Sequence, residues 1–433
     1  MTYISTRGNP DAVSFSEAVT LGLAPDGGLF VPASFPRFEV TDFDGRDSLP
    51  AIAQTLIRPF FAGDALAGEL DAICEDAFSF PVPLNVVDEN ATNPVRVLEL
   101  FHGPTAAFKD VGARFLAACL QRSAGASVDD PLLILVATSG DTGGAVAAAF
   151  HNRPGIDVGV LFPKGLVSPR QEQQLTCWGG NVKAFRVSGV FDDCQRMVKA
   201  AFANEAFTQR RRLSSANSIN VGRLLPQMAY YAASSLWCLR ETGKAPSYIV
   251  PTGNLGNALA CVWARHVGLP IDRIVLATNA NRTIPDFLAS GEWSPRDSVA
   301  TLASAMDVGN PSNAERLRHL FPDSGELATK LRAGWVDDDH IRQRIASDFG
   351  RGADAWCPHT ATAMELYARM SDEDRASAPW IAVATAHPAK FETVVEPLIG
   401  QTLPVPAALA ELLDRPAHAV DIAPDLDVLL SHL

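Results

Sequence analysis

Residues 131–151 read PLLILVATSGDTGGAVAAAFH, and this stretch decides the fold. The run 131–137 is apolar without alternation, which predicts a strand buried on both faces, as in a parallel sheet. Thr138 to Gly144 are small and turn-forming, and the alanine-rich run 145–151 predicts a helix. The same unit of strand, small-residue loop and helix recurs along the chain. Residues 157–162 form an apolar run ending at Pro163, and 182–187 form another, closed by Ser188 and Gly189. Residues 248–250 lead through 252–257 into a helical pattern over 258–266, and 273–278 and 380–385 are further strand candidates. This alternation predicts an α/β fold of parallel sheets joined by right-handed crossovers.

Residues 1–90 differ: Pro/Gly turns such as Ala24-Pro25-Asp26-Gly27-Gly28 separate short helices, and the segment reads as a separate N-terminal region. The body runs from about residue 93 to residue 399, followed by a Pro- and Ala-rich tail with a weak helical pattern. The 433 residues are 47% hydrophobic and 20% charged, enough to bury a large core. A formal net charge of −13 repels phosphate backbones and anionic lipids, so neither nucleic acid nor a membrane is an expected partner. No stretch reaches the roughly 18 apolar residues of a membrane span, and the first eight residues lack a basic-then-apolar signal; a cytoplasmic protein is expected. Seven cysteines, none in a C-x-x-C pair, lie mostly among apolar residues and read as buried free thiols of a reducing compartment. Lysine is scarce: seven of the 36 basic residues, with none in the first hundred positions. Compositional bias accounts for six of them, Lys390 included; Lys109 lies in a segment that carries chemistry.

That segment is Phe101-His102-Gly103-Pro104-Thr105-Ala106-Ala107-Phe108-Lys109-Asp110. Gly103-Pro104 forces a turn, and Thr105 can cap the helix that follows. Phe108, Val111, Phe115 and Cys119 repeat at helical spacing, so Lys109 falls near the positive end of a helix and beside an aromatic ring. Both features favour the neutral amine that imine formation requires. Alone, the segment also fits a helix lysine paired with Asp110. The loop 137–144 offers backbone N–H groups at a helix start, a place for a carboxylate. Thr252-Gly253-Asn254-Leu255-Gly256-Asn257 forms a phosphate cradle without a lysine, and matches neither the P-loop nor the dinucleotide fingerprint. Ser214-Ser215-Ala216-Asn217-Ser218-Ile219-Asn220-Val221-Gly222-Arg223 combines hydroxyls, amides and a forked cation, which suits a dianionic phosphate. Each of these three loops, in isolation, is also a plain turn. Ala384-Thr385-Ala386-His387-Pro388-Ala389-Lys390 ends the last strand of the body, where ligands of open parallel sheets bind. His387 fits either an acid–base group or, more commonly, a hydrogen-bonded structural residue. No metal-ligand spacing and no G-x-S-x-G elbow occurs, so no metal is expected.

Taken in order, these segments resemble the threonine synthases, in particular the bacterial and fungal branch with an N-terminal domain. The resemblance runs nearly end to end: Tyr3-Ile4-Ser5-Thr6-Arg7-Gly8, then 23–32, 101–110, 137–143, 214–223, 251–257, Ala305-Met306-Asp307-Val308-Gly309 and 385–391. It implies the pyridoxal-phosphate fold of the tryptophan-synthase-β type, two parallel-sheet domains with helices on both faces plus an N-terminal domain. The implied divisions are 1–90; 91–225, smaller and mobile, with Lys109 and the 139–142 loop; and 226–433, larger, with the cofactor-phosphate loop and C-terminal helices. Lys109 would carry pyridoxal 5′-phosphate as an imine and act as the catalytic base. Gly253, Asn254, Leu255, Gly256 and Asn257 would bind the cofactor phosphate, and Thr385 the pyridine nitrogen. Ser139, Gly140, Asp141 and Thr142 would hold the substrate carboxylate and border the cofactor ring; Asn217, Ser218 and Arg223 would grip the substrate phosphate. Asparagine is common at the Asp141 position elsewhere in the fold, whereas aspartate matches this branch. The implied reaction converts O-phospho-L-homoserine and water to L-threonine and phosphate, in a monomer or homodimer. Rival readings are a threonine/serine dehydratase-like lyase or phospholyase that yields an oxo acid, a non-catalytic ligand-binding protein of the same fold, and a nucleotide-binding protein using the two glycine loops.

Overall fold

The computed structural model describes residues 1–87, 94–123 and 129–433. Its strands in chain order are β1 (Tyr3–Ser5), β2 (Phe30–Pro32), β3 (Leu84–Val87), β4 (Val95–Glu99), β5 (Leu132–Ala137), β6 (Ile156–Pro163), β7 (Val182–Val187), β8 (Leu213–Ser215), β9 (Ser247–Pro251), β10 (Ile274–Thr278), β11 (Arg332–Trp335), β12 (Trp380–Ala384) and β13 (Val420–Ile422). One sheet has the order β11-β10-β9-β12-β4-β3 and is parallel except for β3 at its edge. A second, β13-β7-β6-β5-β8, is parallel throughout. β1 and β2 form a separate antiparallel pair. Every residue of β5, β9, β10 and β12 is buried, which is what an unalternating apolar run demands.

Helix starts differ from the sequence expectation in an informative way. The helix after β5 spans Asp141–Phe150, so it begins four residues before the alanine-rich run. Thr138 Oγ1 accepts the N–H groups of Gly140 (3.0 Å) and Gly143 (2.8 Å), and this folds the small-residue loop into the first helical turn. The helix after β9, Gly256–His266, likewise starts inside its glycine segment. Thr105 does not cap the helix Lys109–Ser123. It lies too far upstream, and it binds Asp110 instead, through Oγ1 (2.6 Å) and its backbone N–H (2.9 Å).

Among the described residues, the N-terminal region shares its apolar core with the body. Phe15 and Phe61 meet Phe115 of the Lys109 helix edge-on, with centroids 6.5 and 6.1 Å away. One apolar cluster runs from Tyr3 through that helix to Tyr248 and Trp263. The boundary expected at 90/91 and the body's expected start at 93 lie outside the described residues. β4 lies in the larger sheet and β13 in the smaller one, so the sheets do not follow a cut at 225/226 strand for strand. All seven cysteines are free and buried. Among the described residues no helix is long and apolar enough to cross a membrane.

Candidate active site

The start of the Lys109 helix is pinned to the carboxyl end of β12. Phe108 N–H donates to the Thr385 carbonyl (2.8 Å), and His387 N–H donates to the Ala106 carbonyl (3.0 Å). Thr385 itself is buried. Lys109 is half-buried, with Nζ 5.7 Å from the centre of the Phe108 ring. Loss of water lowers its pKa to about 8; Asp141 opposes that shift, while Arg223 and Lys390 reinforce it. The pairing with Asp110 that the sequence allowed does not form, because Thr105 occupies that carboxylate.

Asp141 begins its helix beside Lys109. Its Oδ1 lies 2.8 Å from Lys390 Nζ and accepts from Gln171 Nε2 (3.0 Å). Lys390 is 0% exposed and also donates to the Thr105 carbonyl (2.7 Å). Burial alone would raise the Asp141 carboxyl, but Lys390, Lys109 and His359 outweigh it and hold that group well below the usual carboxylate range. Deleting one partner of such a buried pair costs about 3–5 kcal/mol. Gly140 has φ +134°, and a Cβ there would lie 2.7 Å from the Gln171 amide, so glycine is what lets Gln171 reach Asp141. Ser139 and Thr142 are half-buried in the same turn. His359 is buried, its Nε2 accepts the Ala305 N–H (3.1 Å), and burial lowers its pKa to about 4, which leaves a neutral ring.

A second cluster gathers the other two loops. Asn254 Nδ2 donates to Ser218 Oγ (2.6 Å), which joins the 252–257 and 214–223 segments. Asn313 Nδ2 donates to the carbonyls of Ser218 (3.3 Å) and Asn254 (3.0 Å). Behind it, the fully buried Arg316 donates to Asn313 Oδ1 (2.7 Å) and to the carbonyls of Ile219 (2.6 Å) and Phe30 (3.0 Å). Leu255 adopts φ +62° just before Gly256 opens the helix, and a Cβ on Gly253 would lie 2.6 Å from the Met306 backbone. Asn217 is half-buried and accepts the Asn220 N–H at its carbonyl (3.1 Å). Asn257 Oδ1 accepts from the hydroxyls of Tyr230 and Tyr231, both at 2.7 Å. Its Nδ2, and Nε of the buried Arg223, have no hydrogen-bond partner among the described residues. Burial lowers the Arg223 pKa to about 10, so it remains a cation. Two buried donors without acceptors, Asn257 Nδ2 in the glycine turn at a helix start and Arg223 Nε packed against Gly112 of the Lys109 helix, fit anionic groups such as phosphates.

An open cleft of about 760 Å³ has Ser168, Gln171, Leu302, Ser304 and Phe391 in its lining. Lys109 does not line it; the two clusters, rather than this cleft, mark the site. Sequence reasoning missed Lys390, Gln171, His359, Asn313 and Arg316. Lysine scarcity was the one signal that pointed to Lys390. Of the two roles open to His387, the structural one fits: Nδ1 accepts the Ala389 N–H (3.2 Å) at the start of the turn Pro388–Phe391.

Known proteins match the chain along its whole length. The family described as pyridoxal-phosphate dependent enzyme matches residues 82–385; threonine synthase N terminus matches 2–78, and threonine synthase, C-terminal, matches 360–432. A threonine synthase of Escherichia coli strain K12 is 40% identical over 433 residues, covering 99% of this chain and 98% of its own. The crystal structure of threonine synthase from Escherichia coli superposes with a TM-score of 0.88 at 38% identity, over 100% of this chain and 99% of that one. The pyridoxal-phosphate-bound threonine synthase from Brucella melitensis gives a TM-score of 0.90 at 33% identity, over 100% and 98%. The chain belongs to the threonine synthase family of pyridoxal-phosphate-dependent enzymes.

Proposed function

We propose that the chain converts O-phospho-L-homoserine and water to L-threonine and phosphate, with Lys109 as both the cofactor-bearing lysine and the proton-transfer base. The observation that carries this is Lys109 itself. It is a half-buried amine with a pKa near 8 that interacts with Asp141 of the 137–144 loop and Arg223 of the 214–223 loop, the latter tied to the 252–257 loop by the Asn254–Ser218 hydrogen bond.

Pyridoxal phosphate, when bound, supplies an electron sink for the charge left on Cα as its proton departs. Gly253, Asn254, Leu255, Gly256 and Asn257 hold the cofactor phosphate at the helix start. Thr385 offers the pyridine nitrogen a neutral hydroxyl partner. Ser139, Gly140 and Thr142 hold the substrate carboxylate, and Asp141 borders the ring. Asn217, Ser218 and Arg223 grip the substrate phosphate, with Arg223 as the charged member. Lys109 removes the Cα proton and then a Cβ proton as the Cγ–O bond to phosphate breaks. A proton delivered to Cγ makes the methyl group, water adds at Cβ, and Lys109 returns a proton to Cα. The smaller sheet with its 139–142 loop closes over the larger sheet and positions the substrate between them.

The test uses purified holoenzyme and O-phospho-L-homoserine, with phosphate and amino-acid product assayed together. Equal amounts of phosphate and threonine are expected. Phosphate with 2-oxobutyrate would make the chain a lyase that stops before hydration, and neither product would move it to another substrate.

A further inference from the structure

Lys390 has no part in the reaction just described, yet it is among the most deeply buried charges in the molecule. Two of its ammonium donors are committed, one to Asp141 Oδ1 at 2.8 Å and one to the Thr105 carbonyl at 2.7 Å. Its own carbonyl accepts from Ser168 Oγ at 2.8 Å. Lys390 therefore joins the turn before the Lys109 helix, the start of the Asp141 helix and the segment that follows β12. Asp141 is the carboxylate that couples to Lys109, and Asp110, its chain neighbour, is consumed by Thr105. Without Lys390, the cation left to compensate a buried Asp141 is Lys109, and an ion pair there would fix Lys109 as an unreactive ammonium.

We propose that Lys390 is a positioning residue for Lys109: by neutralising and pinning Asp141 it keeps that carboxylate from pairing with the Lys109 amine. This rests on the reading of Lys109 as the cofactor-bearing lysine.

The remaining charged and titratable neighbours do not supply a substitute. Arg223 faces Lys109 as a second cation, and His359 is neutral. Cys357 faces Asp141, and burial keeps it a thiol. Lys390 also couples to Asp110 and to His387, which is itself flanked by His102, Glu99 and Arg170; burial lowers the His387 pKa to about 4, so it too is neutral. Burial lowers the Lys109 pKa to about 8, with Asp141 opposing and Lys390 reinforcing the shift.

The experiment follows the pH midpoint of the bound cofactor's visible absorption in holoenzymes of the parent, Lys390→Met, Lys390→Arg, Asp141→Asn and the double variant Asp141→Asn/Lys390→Met. Lys390→Met should move the midpoint up by about one to three pH units, the range for a newly unmatched opposite charge nearby. Lys390→Arg should leave it in place. Asp141→Asn should move it down, because Lys390 then acts on Lys109 without its counter-ion. The double variant should return it towards the parent, although it restores none of the lost packing. A midpoint that does not respond to Lys390→Met, or that is the same in Lys390→Met and the double variant, overturns the proposal. If Lys390→Met does not fold, an unchanged midpoint in Asp141→Asn does the same. Lys109→Ala separates the two levels: an absorption band that survives there refutes the Lys109 assignment, whereas a lost band with midpoints indifferent to Lys390 refutes only this inference.

Discussion

The two polar clusters of the site are built on opposite principles. Around Lys109 the carboxylates are each matched: Asp141 by Lys390, and Asp110 by Thr105. Around Gly253 they are amides and hydroxyls, Asn254 on Ser218 and Asn313 on both loops, with the guanidinium of Arg316 behind them. Proton transfer requires a group whose charge state can change near the working pH. Holding an anion is best done by donors whose charge state does not change. The first cluster should therefore govern rate and its pH dependence, and the second affinity.

The sharpest break in this comparison comes from Lys109→Ala. It should lower kcat by at least about 10³-fold and abolish the cofactor's visible band, since the proposed roles of covalent anchor and base would both be lost. Steady-state kinetics with an absorption spectrum checks both, and a variant that keeps either would take the charged cluster out of catalysis.

Asp307 is the exception on the neutral side. It lies in the 305–309 turn that presses on Gly253, and burial raises its pKa to about 6 against the hydrogen bonds of Thr301 and Asn279. The folded state then binds a proton between about pH 6 and 4 that the unfolded chain does not, so this residue's contribution to stability rises as pH falls through that window. The difference in unfolding free energy between the parent and Asp307→Asn should change by up to about 3 kcal/mol from pH 7 to pH 4 in favour of the parent. Denaturant titrations at the two pH values measure it; a flat difference would return the second cluster to full pH indifference.

Arg223 belongs to both clusters. Arg223→Ala should raise KM for the phosphorylated substrate about 10- to 100-fold, equivalent to about 1.4–2.7 kcal/mol. It should also lift the Lys109 pKa, because a cation that lowered it is gone. Kinetics across pH 6.5–9 would show both effects, and unchanged KM would place the substrate phosphate elsewhere.

The local parts of this site were legible in sequence and the long-range parts were not. β5 and β12 declare themselves by unbroken apolar runs, and the cradle loops by glycine at helix starts. Lys109 was placed by Gly103-Pro104 and the spacing of Phe108, Val111 and Phe115. The failure of Lys109 to pair with Asp110 depends on Thr105 winning a local competition that spacing does not decide. Lys390 meets Asp141 across 249 positions of sequence, and Arg316 reaches Phe30 across 286, and nothing near either residue signals its partner. β13 escaped notice because it is a three-residue edge strand, mostly exposed, with no apolar run to mark it.

Ser218→Ala is the finest probe of the comparison. The hydroxyl accepts from Asn254 Nδ2 at 2.6 Å, and Asn313 holds the Ser218 and Asn254 carbonyls from behind, so the two loops should keep their backbone positions when Oγ is removed. The loss is one neutral hydrogen bond plus a half-buried amide left to solvent or ligand, worth about 1 kcal/mol, or roughly a 3- to 10-fold rise in KM. No charge changes, so the pH midpoint that Lys390 controls should stay where it is. A midpoint that moves with Ser218→Ala would mean that the two clusters are mechanically coupled, with charge and affinity not divided between them.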